Sequence, residues 1–247
     1  YTLLTRMKKP LVSIIVPAYN EEKNIGACVR SLIKQQTNAT YEVIVVDNNS
    51  TDRTGQIAAS LGARVVIQKR QGRAYARQKG ADCARGDILA YTEADCVAPI
   101  DWIENMVRFL TDHPQFIGIA GGYTFTESTP FLRFIGPKTV TFSSFLYRWF
   151  TGNNTLRATN FAIRKATLQR VKGFNPRAVP FDDLDLGFRA GKLGPIRHDP
   201  HLRVATSDRR VRGRLLVFCK EFCLSFTKIF ILKQRGHDNL YAVVRSS

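Results

Sequence analysis

Short apolar runs alternate with segments of helical spacing over residues 11–112. Such runs are typical of strands buried on both faces, as in a parallel sheet, and they predict strands at 11–16, 43–46, 64–67 and 87–91. Apolar residues that recur every three or four positions predict a helix at 21–36, Thr51 can cap a second helix at 51–61, and further helices are predicted at 72–84 and 102–112. This order predicts an α/β fold: a doubly wound, mostly parallel sheet with helices on both faces.

The alternation loosens after residue 118. Two more strands and one more helix are predicted, at 117–125, 159–163 and 165–171. The intervening segment 131–150 is rich in Phe and short of charge. We predict one domain over residues 1–205 and a basic amphipathic tail over residues 206–247.

The net charge of the chain indicates what kind of partner it binds. The 247 residues include 37 Lys and Arg against 20 Asp and Glu, a net charge of +17. Such an excess favours nucleic acid, a phosphorylated substrate or an acidic membrane surface. The five scattered cysteines contain no C-x-x-C pair, which argues against a disulfide framework or a zinc ribbon and favours reduced thiols in the cytoplasm. We expect neither a signal peptide nor a membrane span.

Polar loops follow three of the predicted strands. In an open α/β sheet, ligands bind beyond the carboxyl ends of the strands, where this chain has PAYNE at 17–21, DNNS at 47–50 and EAD at 93–95. One acidic residue at a strand end is more often a turn residue, but three such ends share one crevice. The chain has neither a G-x-G-x-x-G nor a Walker loop. Glu93 and Asp95 could instead hold a divalent cation that neutralises phosphate.

Two further segments carry candidate chemistry. Gly72 opens a helix that has Arg73 and Arg77 in its first turns; this is a plausible anion site, although arginines on helices are commonly only solvated. In FDDLDLGFR at 181–189, adjacent carboxylates can raise one pKa, which suits a general base. Asp182 and Asp183 could equally serve only as the acidic N-terminus of a helix.

The tail has an amphipathic pattern at 215–232, after an arginine cluster. This pattern is expected of a helix in a membrane interface, beside arginines that bind lipid phosphate. It is also expected of an ordinary helix that packs on the domain. The Phe-rich segment 131–150 could supply a second interfacial surface.

Taken together, five segments resemble family 2 glycosyltransferases of the GT-A fold, in order from about residue 11 to residue 210. They are VSIIVPAYNEEKNI, EVIVVDNNSTDRT, GRAYARQKGADCARGDILAYTEADC, TNFAIRK with a later GF, and FDDLDLGFR. The resemblance implies transfer of a sugar from a nucleotide-diphosphate sugar with inversion, and Mg²⁺ or Mn²⁺ as cofactor. Departures from the family pattern are Glu93 for Asp, Asp182 for Glu and Gln78 for Asn.

The same resemblance implies roles for individual residues. Asp183 would be the general base, beside Asp182, and Asp95 would bind the metal and the diphosphate, with His201 or His198 as a further metal ligand. Contacts with the nucleotide sugar are implied for Pro17, Tyr19, Glu21, Asp47, Arg73, Arg77, Glu93, Ala94 and Asn160. Contacts with the acceptor or a lipid phosphate are expected of Arg189, Arg209 and Arg210.

We therefore expect a hexosyltransferase-type enzyme that uses a UDP- or GDP-linked donor and a glycan or lipid-linked acceptor. We place it in the cytoplasm, peripheral on the inner face of the cell membrane, in the synthesis of a cell-envelope polysaccharide. The alternatives are a nucleotidyltransferase, a basic nucleic-acid-binding module and an inactive sugar-nucleotide binder. No zinc-finger, RRM or KH signature supports nucleic-acid binding, and FDDLDLGFR argues against a nucleotidyltransferase.

Overall fold

The structure contains the four strands that the apolar runs of residues 11–91 predict. The computed structural model describes residues 11–126, 144–145, 147–149, 151–178 and 182–207. The described strands are β1 Val12–Ala18, β2 Tyr41–Asp47, β3 Arg64–Ile67, β4 Ile88–Thr92, β5 Cys96–Val97, β6 Gly118–Phe125, β7 Asn160–Arg164 and β8 Ile196–Thr206. The described helices are α1 Ile25–Ile33, α2 Thr54–Ser60, α3 Arg73–Cys83, α4 Trp102–Asp112, α5 Lys165–Arg170 and α6 Asp182–Gly191. Residues 208–247 of the predicted tail, with Arg209 and Arg210, lie outside the described residues.

The eight described strands pair in one mixed sheet, in the order β3-β2-β1-β4-β7-β6-β8-β5. Strands β1 to β4 are parallel, and so is the pair β6–β8, whereas β7 is antiparallel to both β4 and β6, and β5 is antiparallel to β8. The α/β fold is thus confirmed. The parallel pairs are only a small majority, because β7 enters the middle of the sheet in reverse.

Apolar cores cover both faces of the sheet. Ile14 and Val16 of β1 pack with α1 and α4, whereas Ile15, between them, packs with α3 and β7 on the other face. This period of two is expected for a central strand. At Gly80, α3 lies so close to β1 that a Cβ would stand 2.3 Å from Ile15 Cγ2. The glycine therefore lets α3 lie directly on the sheet, with its first turn at the carboxyl ends of the strands.

Three features of the described residues bear on the remaining expectations. Cys28, Cys83 and Cys96 are free thiols, as predicted. No helix in the described ranges has the length and apolar character needed to cross a membrane. Strands β5 and β8 were not predicted, and both contribute to the edge of the sheet beside Asp95.

Candidate active site

The loops after β1 and β2 form one continuous wall. Ala18 pairs with Asp47 in the sheet, and beyond them the Asn20 amide N–H donates to Ser50 Oγ at 3.0 Å. Asn20 Oδ1 in turn accepts from the Thr51 amide N–H at 2.8 Å. Parallel strands in register bring these loops together, as predicted from their positions. Asn20 and Ser50, which hold the wall together, were not predicted as site residues.

The predicted nucleoside contacts lie in this wall. Tyr19 is exposed and Pro17 is half-buried, while Glu21 is buried and accepts from Asn24 Nδ2 at 2.8 Å. Asp47 is buried too, and its Oδ1 accepts from the Ser50 amide N–H at 2.9 Å. Tyr19 is thus exposed in this wall, whereas the carboxylates of Glu21 and Asp47 accept hydrogen bonds from the protein.

Asn48 fixes the loop that leads into α3. Its buried side-chain amide donates to the carbonyl oxygens of Gln68 and Arg70, both at 2.8 Å, and accepts from the Gly72 amide N–H at 2.7 Å. Gly72 has a φ of 139°, which L side chains rarely adopt. The end of β2 therefore positions the first turn of α3.

Arg77 of α3 is the centre of a buried ionic network. Its Nη2 lies 3.1 Å from Glu93 Oε1, and its Nη1 lies 2.5 Å from Asp182 Oδ2. Arg73, one turn earlier, reaches Glu93 at 3.5 Å. The solvated alternative is therefore wrong for Arg77, which is fully buried. The expected contact with a nucleotide sugar is also unsupported for Arg77, because its two terminal nitrogens are held by carboxylates.

Asp182 and Asp183 begin α6 and have different environments. Asp182 is fully buried against Arg77, whereas Asp183 is half-buried. Asp183 Oδ2 accepts from the Ala158 amide N–H at 2.8 Å, and Oδ1 accepts from the Leu184 amide N–H at 3.0 Å. Both acids thus occupy the first turn of a helix, as the second alternative predicts, and the role of Asp183 as a general base stays a prediction.

The pKa of Asp183 is raised from its ordinary value. Burial is the main cause, and the neighbouring Asp182 carboxylate raises the pKa further. Arg77, the Ala158 hydrogen bond and Arg73 lower it and only partly offset these effects. A carboxylate whose pKa is raised is a stronger base at neutral pH.

Glu93, Ala94 and Asp95 directly follow β4 and have different surroundings. The buried Glu93 carboxylate is drawn to Arg77 and Arg73, and Ala94 is buried. Asp95 is half-buried, with Oδ1 3.8 Å from Cys96 Sγ. Burial, together with Asp95, raises the pKa of Cys96 to about 12, so this thiol stays protonated. Within the E-A-D motif, Asp95 is the more exposed of the two carboxylates.

His201, predicted as a further metal ligand with Asp95, lies on β8 outside the pairing of β8 with β5. Strand β5 pairs with β8 so that Cys96 lies opposite Thr206, and His201 is five residues earlier, where the pairing of β8 with β6 shifts register. His201 is exposed, and its amide N–H donates to Asp199 Oδ1. His198 pairs with Ala120, still further back along β8.

Asn160, which is predicted to contact the donor sugar, makes hydrogen bonds within the protein. The side chain is fully buried, and its Nδ2 donates to the carbonyl oxygens of Gly122 and Leu202, both at 2.8 Å. Its Oδ1 accepts from Trp102 Nε1 at 2.9 Å. Both amide hydrogens are used, so the residue joins β6, β8 and α4.

Arg189, which is predicted to contact the acceptor or a lipid phosphate, also makes its hydrogen bonds within the protein. Its Nε donates to Asp185 Oδ2 at 2.8 Å, one turn earlier in α6, and its Nη1 donates to the Val171 carbonyl oxygen. These bonds hold α6 against the end of α5. The guanidinium is therefore committed to the protein.

A helical turn missed by sequence reasoning packs against the acid pair. Tyr147 is buried, and its hydroxyl donates to the Leu184 carbonyl oxygen at 3.3 Å, one residue after Asp183. Arg157 Nη2 donates to Ser144 Oγ at 2.7 Å, and burial lowers the pKa of Arg157. The Phe-rich composition of 131–150 was the only available signal, and it does not identify which residues face inward.

A comparison with known protein families identifies the family of this chain. The model of glycosyl transferase family 2 matches residues 13–174, which include strands β2 to β7 and all of β1 except Val12. The chain belongs to glycosyl transferase family 2. This membership agrees with the expected class of enzyme and leaves the nucleotidyltransferase and nucleic-acid-binding alternatives without support.

The relatives of this family 2 chain are named glycosyltransferases. It is 27% identical to glycosyltransferase AglE of Haloferax volcanii, over 84% of this chain and 70% of that protein. It is 30% identical to the putative teichuronic acid biosynthesis glycosyltransferase TuaG of Bacillus subtilis, over 74% of this chain and 75% of that protein. Against the probable glycosyltransferase YdaM of Bacillus subtilis, the chain spans only 47% of the relative's length.

Solved structures confirm the GT-A fold. The mannosyltransferase PcManGT from Pyrobaculum calidifontis, in complex with GDP-Man and Mn²⁺, superposes with a TM-score of 0.64 at 22% identity, covering 81% of this chain and 58% of that chain. Residues 1–349 of TarS from S. aureus, in complex with UDP, give a TM-score of 0.63 at 21% identity, covering 79% and 60%. At these identities the likeness concerns the fold.

The residues present can accommodate a divalent cation of the hard, oxygen-seeking kind. The described residues contain no group of three His, Cys, Asp or Glu that could hold a metal by itself. Mg²⁺ is commonly bound by one or two carboxylates, with substrate phosphates and water as its other ligands. Asp95, half-buried at the end of β4, fits this arrangement, whereas Glu93 is taken by arginines.

Proposed function

We propose that the chain transfers a sugar from a UDP- or GDP-linked donor to a hydroxyl or phosphate acceptor, with inversion and with Mg²⁺ or Mn²⁺. The observation that carries this proposal is the network at Arg77. One buried guanidinium holds Glu93, two residues before Asp95, and Asp182, the neighbour of Asp183. The cation-binding candidate and the candidate base therefore belong to one rigid assembly.

In this mechanism, Asp95 holds the cation and Tyr19 and Asp47 contact the nucleoside. When bound, the cation neutralises charge on the departing diphosphate. Asp183 removes the proton from an acceptor hydroxyl while that oxygen attacks the anomeric carbon and the bond to the diphosphate oxygen breaks. A single displacement of this kind inverts the anomeric centre. The raised pKa of Asp183 supports its role as the base.

The lipid-linked acceptor and the peripheral membrane location are part of the same proposal. The net charge of +17 supports attraction to an anionic membrane surface. A polyprenyl phosphate or a lipid-linked glycan at the inner face of the cell membrane would present an acceptor oxygen at that surface. Synthesis of a cell-envelope polysaccharide is the corresponding process.

Asp183→Asn tests the proposed base. We expect transfer to fall by ~10²-fold or more because the amide cannot accept the acceptor proton, while donor affinity is retained. The assay is release of UDP or GDP from a panel of sugar nucleotides in Mn²⁺, with EDTA expected to abolish it. Asp112→Asn, at an exposed carboxylate at the end of α4, is the matched control. Transfer by Asp183→Asn at the rate of the control would remove Asp183 from this role.

A further inference from the structure

Two large aromatic rings stand in solvent next to the candidate active site. Trp149 is 74% exposed and Phe145 is 60% exposed, the two highest values among the large apolar side chains of the described residues. They lie four positions apart in a helical segment, with ring centroids 6.3 Å from each other. A pair of this kind forms a continuous apolar surface.

Residues on the inner side of the same segment are hydrogen-bonded to residues close to the candidate base. Ser144 and Tyr147 are buried, with Ser144 bonded to Arg157 and Tyr147 to the carbonyl of Leu184. Phe145 and Trp149 are therefore held outward by contacts that end one residue from Asp183. The aromatic pair has a fixed position relative to the candidate base.

Charge indicates which partner fits this surface. The exposed Arg148 lies between the two aromatic positions in sequence, and the chain as a whole carries +17. Aromatic rings next to a basic side chain are typical of proteins that bind at the boundary between lipid headgroups and acyl chains. A neutral apolar partner would gain nothing from the positive charge, whereas an anionic bilayer satisfies both features.

We propose that Phe145 and Trp149, with Arg148, form a contact surface that inserts into the interfacial region of an anionic bilayer. The inference deepens the proposed function and rests on it, because it presents the side of the molecule that carries Asp183 to a lipid-linked acceptor. The acceptor oxygen would then reach Asp183 along the membrane surface, without leaving the bilayer.

Tryptophan fluorescence tests this surface directly. The chain has two tryptophans, and the other, Trp102, is fully buried with its Nε1 bonded to Asn160. Emission changes on adding vesicles therefore report Trp149. With mixed phosphatidylglycerol and phosphatidylcholine vesicles we expect a blue shift, quenching by brominated acyl chains and protection from iodide. Phosphatidylcholine vesicles alone should give a much smaller change.

Substitutions separate this surface from other membrane contacts. Phe145→Ser and Trp149→Ser should each lower vesicle partitioning about tenfold, because each removes a large apolar side chain from the interface. Partitioning of the Trp149 variant is measured by co-sedimentation. Ile100→Ser removes an apolar side chain that is 51% exposed elsewhere and should leave partitioning unchanged.

Two outcomes would overturn the proposal. One is an emission spectrum that vesicles leave unchanged. The other is a Trp149 already shielded from iodide without vesicles, which would mean that another segment or a second copy covers it. Thermal stabilisation of the chain by UDP- or GDP-linked sugars in Mn²⁺, measured without vesicles, distinguishes the two proposals because donor binding needs no acceptor. Its presence with no vesicle response rejects the surface alone, and its absence rejects the proposed function.

Discussion

At the scale of single residues, one buried guanidinium organises the site. Arg77 contacts Glu93 and Asp182, which are far apart in sequence, and Arg73 adds a second positive charge at Glu93. Buried carboxylates are costly unless they are paired and hydrogen-bonded. The two arginines thus allow two acids to lie in the interior, and they hold the ends of β4 and α6 at a fixed separation.

Arg77→Met should strongly destabilise the fold. It leaves the fully buried Asp182 without its cation, and breaking a buried ion pair in this way costs roughly 3–5 kcal/mol. Urea unfolding measures the change in the free energy of unfolding. Arg53→Met is the control, because the Arg53–Glu22 pair is exposed and should contribute at most about 1 kcal/mol. Equal effects of the two substitutions would contradict the role of Arg77.

The pH profile of transfer should respond to Asp182. Asp183 must be deprotonated to act as a base, and its raised pKa places the acid limb above the ordinary range of an aspartate. Asp182→Asn removes a negative neighbour and leaves the charge of Arg77 less compensated, and both changes lower the pKa of Asp183. Arg73 and Arg157 keep their positive charge in both proteins. We therefore expect the acid limb of kcat to move to lower pH.

A merely structural effect of Asp182→Asn would reduce kcat at every pH without moving that limb. The measurement is kcat for nucleotide release across the acid range in both proteins, with folding checked at each pH by circular dichroism. An acid limb that stays in place, or moves to higher pH, would contradict the assigned electrostatics.

At the scale of elements, the predictable parts are those with local signals. Strands β1, β2 and β4 are continuous apolar runs, and α1 and α4 have clear apolar stripes. Strand β8 was missed because it contains charged residues and Pro200, is half exposed and is interrupted by a register shift. Pairing of β7 between β4 and β6 depends on contacts distant in sequence, which the local pattern does not report.

The same reason limits what the sequence predicts about the surroundings of individual site residues. The strand-end loops could be located because parallel strands bring their carboxyl ends together. The partners of Arg77, Asn160 and Arg189 could not, since one side chain suits a ligand and a buried network equally well. Gly80 and Asn48 position α3 through contacts that the sequence pattern does not show.

Asn160→Ala tests the structural assignment of this residue. It leaves the Trp102 indole N–H and the carbonyls of Gly122 and Leu202 unpaired. Since each buried unpaired group costs about 1–3 kcal/mol, we expect a loss of at least about 3 kcal/mol in unfolding free energy. Asn105→Ala, whose side chain bonds Asp101 on an exposed surface, should cost under about 0.5 kcal/mol. Unchanged stability with a raised donor KM would instead indicate a contact with the sugar.

At the scale of the whole molecule, the charge predicts an anionic partner but not where that partner binds. The net charge of +17 indicated an anionic surface or substrate, and only the structure shows that Phe145 and Trp149 face outward beside the acid pair. Membership in glycosyl transferase family 2 gives the chemistry its class. Arg77 joins Glu93, at the end of β4, to Asp182, at the start of α6.

The most direct test of the account is a crystal structure of the chain with Mn²⁺ and an unreactive sugar-nucleotide analogue. We predict the metal on the Asp95 carboxylate and on the diphosphate, with the Asp183 carboxylate facing the anomeric carbon from the side opposite the diphosphate. A diphosphate bound away from Asp95, or Asp183 on the far side of the protein from the sugar, would contradict the account.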